Sequence, residues 1–334
     1  MKTVSVMLQN LCVPCECRCR YCLLSCDGKT VGTDWERGLS FARAFTEGLK
    51  KERPELVVLF SFGASMEHPR LPEALDELRA LSSPQSEFLQ CDGMKMRSDA
   101  ECALLAGMLA EKGVKHLNFT FYGPEEYHDR FAGRRGDHAL MLRMLRAAGK
   151  AGLELSVGIP VTTENVSRAE ELIDLLHANV PELAVKLFIP HGEGRGRFLE
   201  GIRLSEEDLG VLSPAALGLL NRSVYRPERE WLTGGFYKEE TVRTLIISLR
   251  ADNIDRYEAM APGAVVAEAE ALDDSYYAAF PDFYELAALY GDPAGTKLYR
   301  QRDLFHYYRR RYALDHGTEV YDVTDERQTG SRRS

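Results

Sequence analysis

Residues 12–26 read CVPCECRCRYCLLSC and contain six of the eight cysteines in this 334-residue chain. They directly follow a short apolar segment, residues 3–11, whose composition is typical of a β-strand. Thiols at this density in one loop indicate a disulfide knot, a zinc site or an iron–sulfur cluster. The rest of the sequence has to decide among the three.

The N-terminus and the composition disfavour the disulfide knot. The first residues lack the long apolar core of a signal peptide, and no run of about 18 apolar residues predicts a membrane span. We therefore expect a cytoplasmic protein, and disulfides are rare in the reducing cytoplasm. The net charge of −9 also makes nucleic acid an unlikely partner.

Predicted strands and helices alternate along the first 190 or so residues. The strands after the first are residues 56–62, 87–91, 115–122, 153–161 and 184–190, and a predicted helix lies before each of them. Runs such as LVVLF are typical of parallel strands buried on both faces. This pattern predicts an α/β fold, a partial (β/α)6 TIM-like barrel of parallel strands, with an open doubly wound sheet as the alternative. In a barrel the functional site lies at the carboxyl ends of the strands, where the cysteine loop is.

The alternation stops near residue 200, and the chain is expected to divide into three segments. Residues 1–200 would form the partial barrel, and residues 201–323 a mostly helical C-terminal extension. Residues 324–334 would form a polar tail.

The spacing of the cysteines separates the zinc and iron–sulfur interpretations. Two C-x-x-C pairs, Cys12 with Cys15 and Cys19 with Cys22, could bind zinc, but only three residues separate them. Zinc sites usually place a dozen or more residues between such pairs. A non-catalytic protein that binds zinc or iron for regulation remains an alternative. The triplet Cys15, Cys19 and Cys22 alone has the form C-x3-C-x2-C, with Tyr21 before its last member.

The segment CECRCRYC resembles the CxxxCxΦC signature of the radical S-adenosylmethionine (radical SAM) superfamily, where Φ is aromatic. The resemblance implies that Cys15, Cys19 and Cys22 hold a 4Fe–4S cluster on the loop after the first strand. One iron would stay open for the amine and carboxylate of S-adenosylmethionine. Reduction would then give a 5′-deoxyadenosyl radical that abstracts hydrogen from a substrate, in an oxygen-sensitive enzyme. Tyr21 is expected to lie near the adenine.

Residues 62–69, FGASMEHP, resemble the family's GGEP segment followed by His-Pro. Gly63 matches, but Ala64 stands where the family has Glu and Ser65 where it has Pro. A carboxylate contact from position 64 is therefore impossible, and Glu67 is a weak substitute. The backbone of this strand end could still contact the methionyl amine.

Later strand ends carry further matches. Residues 119–138 resemble the "S-x-x-G…HD…G…G" stretch of peptide-modifying members, and residues 158–166 resemble "vvT-x-x-N". Residues 192–197, GEGRGR, resemble the family's Pro-x-GRG segment. Within these matches the resemblance assigns cofactor contacts to Thr120, Gly158, Pro160 and Thr162. Arg195 could bind a carboxylate of the cofactor with two hydrogen bonds, with a solvated turn as its alternative.

The substrate is the least determined part of this interpretation. Members with a SPASM or twitch extension bind further clusters there, but this chain has no cysteine after Cys102. The matched stretches favour a peptide or amino-acid-like substrate, with a small metabolite such as a sugar or nucleoside as the alternative. An electron donor such as flavodoxin or ferredoxin is expected. Cys91, at the end of the third strand, is a candidate hydrogen-atom donor, with a buried packing role as its alternative.

Overall fold

The computed structural model describes residues 1–23, 32–63 and 65–318. The strands are β1 Lys2–Gln9, β2 Val57–Ser61, β3 Phe88–Gln90, β4 His116–Thr120, β5 Glu154–Pro160, β6 Ala184–Phe188, β7 Arg226–Pro227, β8 Val242–Ser248 and β9 Leu298–Tyr299. The α-helices of the first 200 residues are α1 Trp35–Glu52, α2 Leu71–Ala80, α3 Asp99–Glu111, α4 Glu125–Ala132, α5 Asp137–Lys150 and α6 Ala169–Asn179. Those that follow are α7 Pro214–Gly218, α8 Glu228–Thr233, α9 Ile254–Glu258, α10 Pro262–Ala278, α11 Phe283–Tyr290 and α12 Gln301–His316.

Two parallel sheets form the centre of the fold. One has the order β2-β1-β8 and the other β3-β4-β5-β6. Side chains bridge the gap between them, since Ser83 Oγ donates to the carbonyl of Phe60 at 2.5 Å and the amide of Phe62 donates to Gln85 Oε1 at 3.2 Å. The predicted order of six strands joined by helices is confirmed, and with it the α/β fold class.

Strand β8 enlarges the parallel sheet from a distant part of the sequence. It pairs with β1 in parallel, and Leu8 lies opposite Ile247. The sequence predicted a strand here but placed it in the extension. The division of the chain at residue 200 stays a prediction, although β8 ties the later segment to the sheet of the earlier one.

Along β4 and β5, apolar and polar residues alternate, so one face of the sheet is apolar and the other polar. Leu117, Phe119 and Val157 are at most 1% exposed and pack into the core. The intervening residues point to the other face, where Asn118 donates to Gln90 Oε1 at 2.6 Å and Ser156 Oγ donates to Asn118 Oδ1 at 2.7 Å. The inner face of these strands is therefore polar and partly open.

The segment after residue 200 is mostly helical, as predicted, and has a small core of its own. Aromatic and leucine side chains from α8, α11, β9 and α12 form it: Trp231, Phe283, Leu286, Tyr299, Leu304 and Tyr308. Trp231 Nε1 donates to the carbonyl of Tyr299 at 3.0 Å, which satisfies the one polar atom of the buried indole.

A search of the helices in the described ranges found none that is both apolar enough and long enough to span a bilayer.

Candidate active site

The cysteine loop leaves β1 and crosses the carboxyl ends of the neighbouring strands. Its backbone bonds in turn to the segments that follow β3, β4 and β6. The contacts are Glu16 N to Gly93 O at 3.0 Å, Arg18 N to Ala132 O at 2.9 Å, Arg20 N to Phe131 O at 2.8 Å, and Arg195 N to Cys22 O at 2.9 Å. The loop is therefore held at three points of the edge where parallel α/β folds place their sites.

Two glycines allow this close approach. A Cβ on Gly93 would overlap Cys15 Sγ, and a Cβ on Gly194 would overlap the carbonyls of Cys22 and Leu23. Both glycines have a positive φ, +69° and +55°, which other L-residues rarely adopt. These positions are thus closed to side chains by both space and backbone conformation.

The thiols of the loop differ in their surroundings. Cys15, Cys19 and Cys22 are half-buried, whereas Cys17 is buried. A hydrogen bond with the Cys17 thiol lowers the pKa of Cys15 below its usual value, and the bonds with Cys15 and Cys19 raise the pKa of Cys17. Cys17 Sγ also donates to Asp137 Oδ1 at 3.6 Å. Cys17 therefore behaves as a neutral S–H donor, and its hydrogen bond favours the deprotonated form of Cys15.

Cys17 is bonded to a buried polar network formed by Asp137, His128 and Arg134. The amide of Tyr122 donates to His128 Nδ1 at 3.2 Å, so the ring proton lies on Nε2, which bonds Asp137 Oδ2 at 3.0 Å. Arg134 Nε donates to the other oxygen of Asp137 at 3.2 Å. Asp129 accepts from the amide of His138 at the start of α5, at 2.9 Å. The His128–Asp129 pair noted in the sequence thus positions the loop and caps a helix.

Asp92 is a site residue that the sequence reasoning missed. It follows β3, and its carboxylate accepts from Thr120 N at 3.1 Å and from Thr120 Oγ1 at 3.0 Å. Gln90 donates to it as well. Withdrawal from water raises the pKa of Asp92 to about 6. All three donors are neutral, and within the described residues Asp92 forms no ion pair.

Thr120, for which a cofactor contact is predicted, donates its hydroxyl hydrogen to Asp92. The signal for Asp92 was present in the sequence as a carboxylate directly after the third strand. Three other carboxylates close to the loop have a cationic partner: Asp137 pairs with Arg134, Glu164 with Arg20, and Glu67 with Arg97.

Tyr21 and Gly158 meet at Phe188. The Tyr21 hydroxyl accepts from the amide of His191 at 3.2 Å, and its ring lies 5.9 Å from that of Phe188. A Cβ on Gly158 would lie 3.1 Å from the Phe188 ring. These residues form one apolar wall beside the cysteine loop.

Pro160, Thr162 and Arg195 have mainly structural contacts. Asn165 joins the first two, because its Nδ2 donates to the carbonyl of Pro160 at 2.8 Å and its Oδ1 accepts from the amide of Thr162 at 2.7 Å. Thr162 is only 1% exposed. Arg195 Nη1 donates to the carbonyl of Cys19 at 3.3 Å, so this side chain holds the loop directly.

The strand end after β2 is described in part. Gly63 lies beside Leu11 with a φ of +74°. Ala64 lies outside the described residues, as does Cys26, and Ser65 is described by its backbone, which starts a 3-10 turn. Glu67 is engaged by Arg97 and accepts from the amide of Lys95 at 2.9 Å, so its carboxylate is already committed.

Cys91, the candidate hydrogen-atom donor, lies on the core side of its strand. Its side chain is fully buried, lies 3.7 Å from Met94 Sδ, and packs on the core side with Leu89. Burial raises the pKa of the Cys91 thiol well above its usual value. Because alternate residues share a face, Gln90 and Asp92 take the inner side and leave Cys91 outside it.

Helix α12 supports the loop from the far side of residues 192–197. Asp303 accepts from the amide of Gly192 at 3.0 Å and is held by Arg300 at 2.7 and 2.9 Å. Arg302 Nε donates to Glu193 Oε1 at 3.0 Å. No sequence pattern predicts this connection from the last helix through residues 192–197 to Cys22.

Across residues 1–23, 32–63 and 65–318, no group of three or more His, Cys, Asp or Glu side chains stands together as the ligands of one metal ion. The thiolates of an iron–sulfur cluster each bind a different iron, so they are not required to meet at one point.

No protein-family model matches the chain, and no curated protein does. Among solved structures, it is similar to SuiB of Streptococcus suis bound to S-adenosylmethionine, with 12% identity and a TM-score of 0.43 over 73% of this chain and 50% of SuiB. It is also similar to coproporphyrinogen III oxidase (HemN) of Escherichia coli, a radical SAM enzyme, with 11% identity and a TM-score of 0.44 over 92% and 90%. A third similar structure is anSMEcpe with bound AdoMet, with 14% identity and a TM-score of 0.42 over 72% and 64%. The chain spans about half the length of the SuiB structures it matches.

Proposed function

We propose that this chain is a radical SAM enzyme that abstracts a hydrogen atom from a peptide or amino-acid-like substrate. One observation carries the proposal. A C-x3-C-x2-C loop leaves the first strand of a parallel sheet and is fixed across the carboxyl ends of its neighbours, with Gly93 directly against Cys15.

The surroundings of the three cysteines fit a cluster with one open iron. Cys15, Cys19 and Cys22 would hold it, and Cys17 is withdrawn from the ligand set by its bond to Asp137. Three thiolates on a four-iron cluster leave one iron without a protein ligand, as a catalytic metal site requires. When bound, the cluster and S-adenosylmethionine would supply the 5′-deoxyadenosyl radical. A reductant such as flavodoxin or ferredoxin is the expected partner.

The chain's own residues would bind and orient the reactants. Tyr21 and Phe188 provide an apolar wall suited to a purine ring. Asp92, held by neutral donors only, is oriented to accept an amino group of the cofactor or of the substrate, because a partly buried carboxylate gains most from a cationic partner. It would supply the carboxylate that position 64 lacks.

Two substrate classes remain candidates. The stretches that resemble peptide-modifying members favour a peptide or an amino-acid-like molecule. The amide and hydroxyl groups of Gln90, Asn118 and Ser156 on the inner face of the sheet favour a small hydroxyl-rich metabolite, such as a sugar or nucleoside.

The test begins with anaerobic purification and reconstitution. We expect a brown protein with about four irons per chain that forms 5′-deoxyadenosine from S-adenosylmethionine and dithionite. Cys15→Ala, Cys19→Ala and Cys22→Ala should each lose iron and product, whereas Cys12→Ala, in the same loop, is the matched control and should keep both. A colourless zinc protein, or iron retained after all three substitutions, would favour a regulatory metal-binding protein instead.

The substrate class is tested by isotope transfer. The reconstituted enzyme is offered deuterated peptides and deuterated nucleosides or sugars in parallel. Deuterium that appears in 5′-deoxyadenosine identifies the class that donates the hydrogen atom.

A further inference from the structure

A cavity of about 570 Å³ lies between α12, the junction of α10 and α11, and residues 237–240. Among the described residues, six aromatic side chains line it: Tyr237, Tyr277, Phe280, Phe283, Tyr284 and Phe305. This volume and lining are typical of pockets that accept a small molecule or a large side chain. Within the described part of the cysteine loop, residues 12–23, no residue contributes to its wall.

Arg309 is the unusual member of the lining. It is 2% exposed, and its guanidinium carbon lies 3.6 Å from the ring centre of Phe305 and 4.2 Å from that of Tyr277. Its Nε–H is buried and has no hydrogen-bond acceptor among the described residues. Ring contacts attract a cation but do not satisfy its N–H donors, and a buried cation is normally paired with an anion.

The acidic residues of the lining do not serve as that anion. Asp274 bonds Arg243, Glu240 bonds Arg302, and Asp282 caps α11 by accepting from Glu285 N. Glu239, the fourth, is exposed. Throughout the part of the chain that the structure describes, Arg309 forms no ion pair.

We infer that this cavity binds a carboxylate carried on an aromatic group, with Arg309 as its anchor. A guanidinium that lies over ring faces presents its N–H edge in its own plane, the geometry in which a carboxylate binds with two parallel bonds. The aromatic lining would cover the ring of the ligand. The ligand would be either a free aromatic acid or a peptide that ends in an aromatic residue.

The position of the cavity connects it to the cysteine loop. Arg302 and His306 line it and also contact Glu193, at 3.0 and 3.4 Å. Arg195 in turn bonds the carbonyl of Cys22, and the amide of the neighbouring His191 bonds the Tyr21 hydroxyl. The inference extends beyond the proposed function and is tested without cleavage of S-adenosylmethionine, so either can fail without the other.

The experiment measures binding of matched probes to the full-length, reconstituted protein by ligand-observed NMR. N-acetylphenylalanine carries the carboxylate, and N-acetylphenylalaninamide is the neutral control. A short peptide ending in Phe, with a free or an amidated C-terminus, distinguishes a peptide from a free acid. We expect the acid forms to bind at least tenfold more tightly than the amides, as loss of a charge-assisted hydrogen bond predicts.

Arg309→Met should reduce acid binding about ten- to hundredfold. Arg309→Lys keeps the charge, so it tests the anchor if the Met variant fails to fold, and it should weaken binding several-fold because Lys lacks the planar fork. Glu239→Gln, the matched control in the same lining, should leave acid binding unchanged or tighter. Equal binding of acid and amide, unchanged acid binding in either Arg309 variant, or no acid binding at concentrations on the order of 10 mM would each overturn the inference.

Discussion

Gly93→Ala is the most direct test of how the cysteine loop is held. The new methyl group would meet Cys15 Sγ, and Ala would have to adopt a φ of +69°. The backbone conformation costs about 1–2 kcal/mol, and overpacking against a neighbour adds about 1–3 kcal/mol. We therefore expect the free energy of unfolding to fall by about 2–5 kcal/mol, with a displaced Cys15 and less bound iron.

Substitutions at two other glycines serve as controls that separate the cost of the backbone conformation from the cost of overpacking. Gly152 has a φ of +78° and open space around it, so Gly152→Ala should cost the backbone term alone, about 1–2 kcal/mol. Gly107 lies inside α3 with nothing near its Cβ position, so Gly107→Ala should stabilise by about 0.5–1 kcal/mol. Urea unfolding gives the free energies, and iron analysis after reconstitution gives the loading. If Gly93→Ala is no worse than Gly152→Ala and keeps its iron, the close contact between Gly93 and Cys15 is not what positions the loop.

Three further predictions concern buried charge. Burial lowers the pKa of His138 to about 4 from 6.5, so the unfolded state takes up the proton first as pH falls. The free energy of unfolding is therefore undiminished above pH 6.5 and falls by about 3 kcal/mol between pH 6.5 and pH 4. His138→Gln should flatten this part of the pH–stability curve. An unchanged curve would contradict the prediction. Asp303→Asn breaks the pair with Arg300 and should cost about 2–3 kcal/mol in urea unfolding, whereas Asp252→Asn, at an exposed pair with Arg250, should cost less than about 1 kcal/mol. Asp92→Asn should raise the Kd for S-adenosylmethionine or for an amine-bearing substrate about tenfold, measured by equilibrium dialysis with each alone; the ligand that is affected identifies the amine, and no change in either removes Asp92 from binding.

The sequence predicted the order of the first six strands and the place of the cysteine loop because both depend on local signals. Apolar runs such as residues 56–62 mark buried strands, and a loop that follows a parallel strand must lie at its carboxyl end. The C-x3-C-x2-C spacing is likewise readable within eight residues of chain, 15–22.

The burial of Cys91 follows from a pattern that the sequence itself contains. Leu89 is apolar and Gln90 polar, so the period of two assigns Cys91 to the buried face and Asp92 to the inner one. The candidate role of Cys91 rested on its place at the end of the strand, which does not determine the face that its side chain takes. The same period of two indicates Asp92 as the residue on the inner face.

Other contacts depend on pairings that no local pattern encodes. The pairing of β8 with β1 joins residues about 240 positions apart, such as Lys2 with Val242. The contacts of Asp303 and Arg302 with residues 192–193 join segments more than a hundred residues apart. Charged residues on a helix are usually solvated, so no local pattern predicts that Asp303 and Arg302 contact residues 192–193.

The attachment of α12 to residues 192–197 sets a limit on how far this protein can be trimmed. A fragment that stops near residue 200 would keep all the cysteines, yet it would lack both the strand that flanks β1 and the helix behind Gly192. Such a minimal version should express as an unstable polypeptide that fails to retain iron. Engineering efforts should accordingly treat the residues after 200 as part of the scaffold that holds the cysteine loop rather than as a removable accessory.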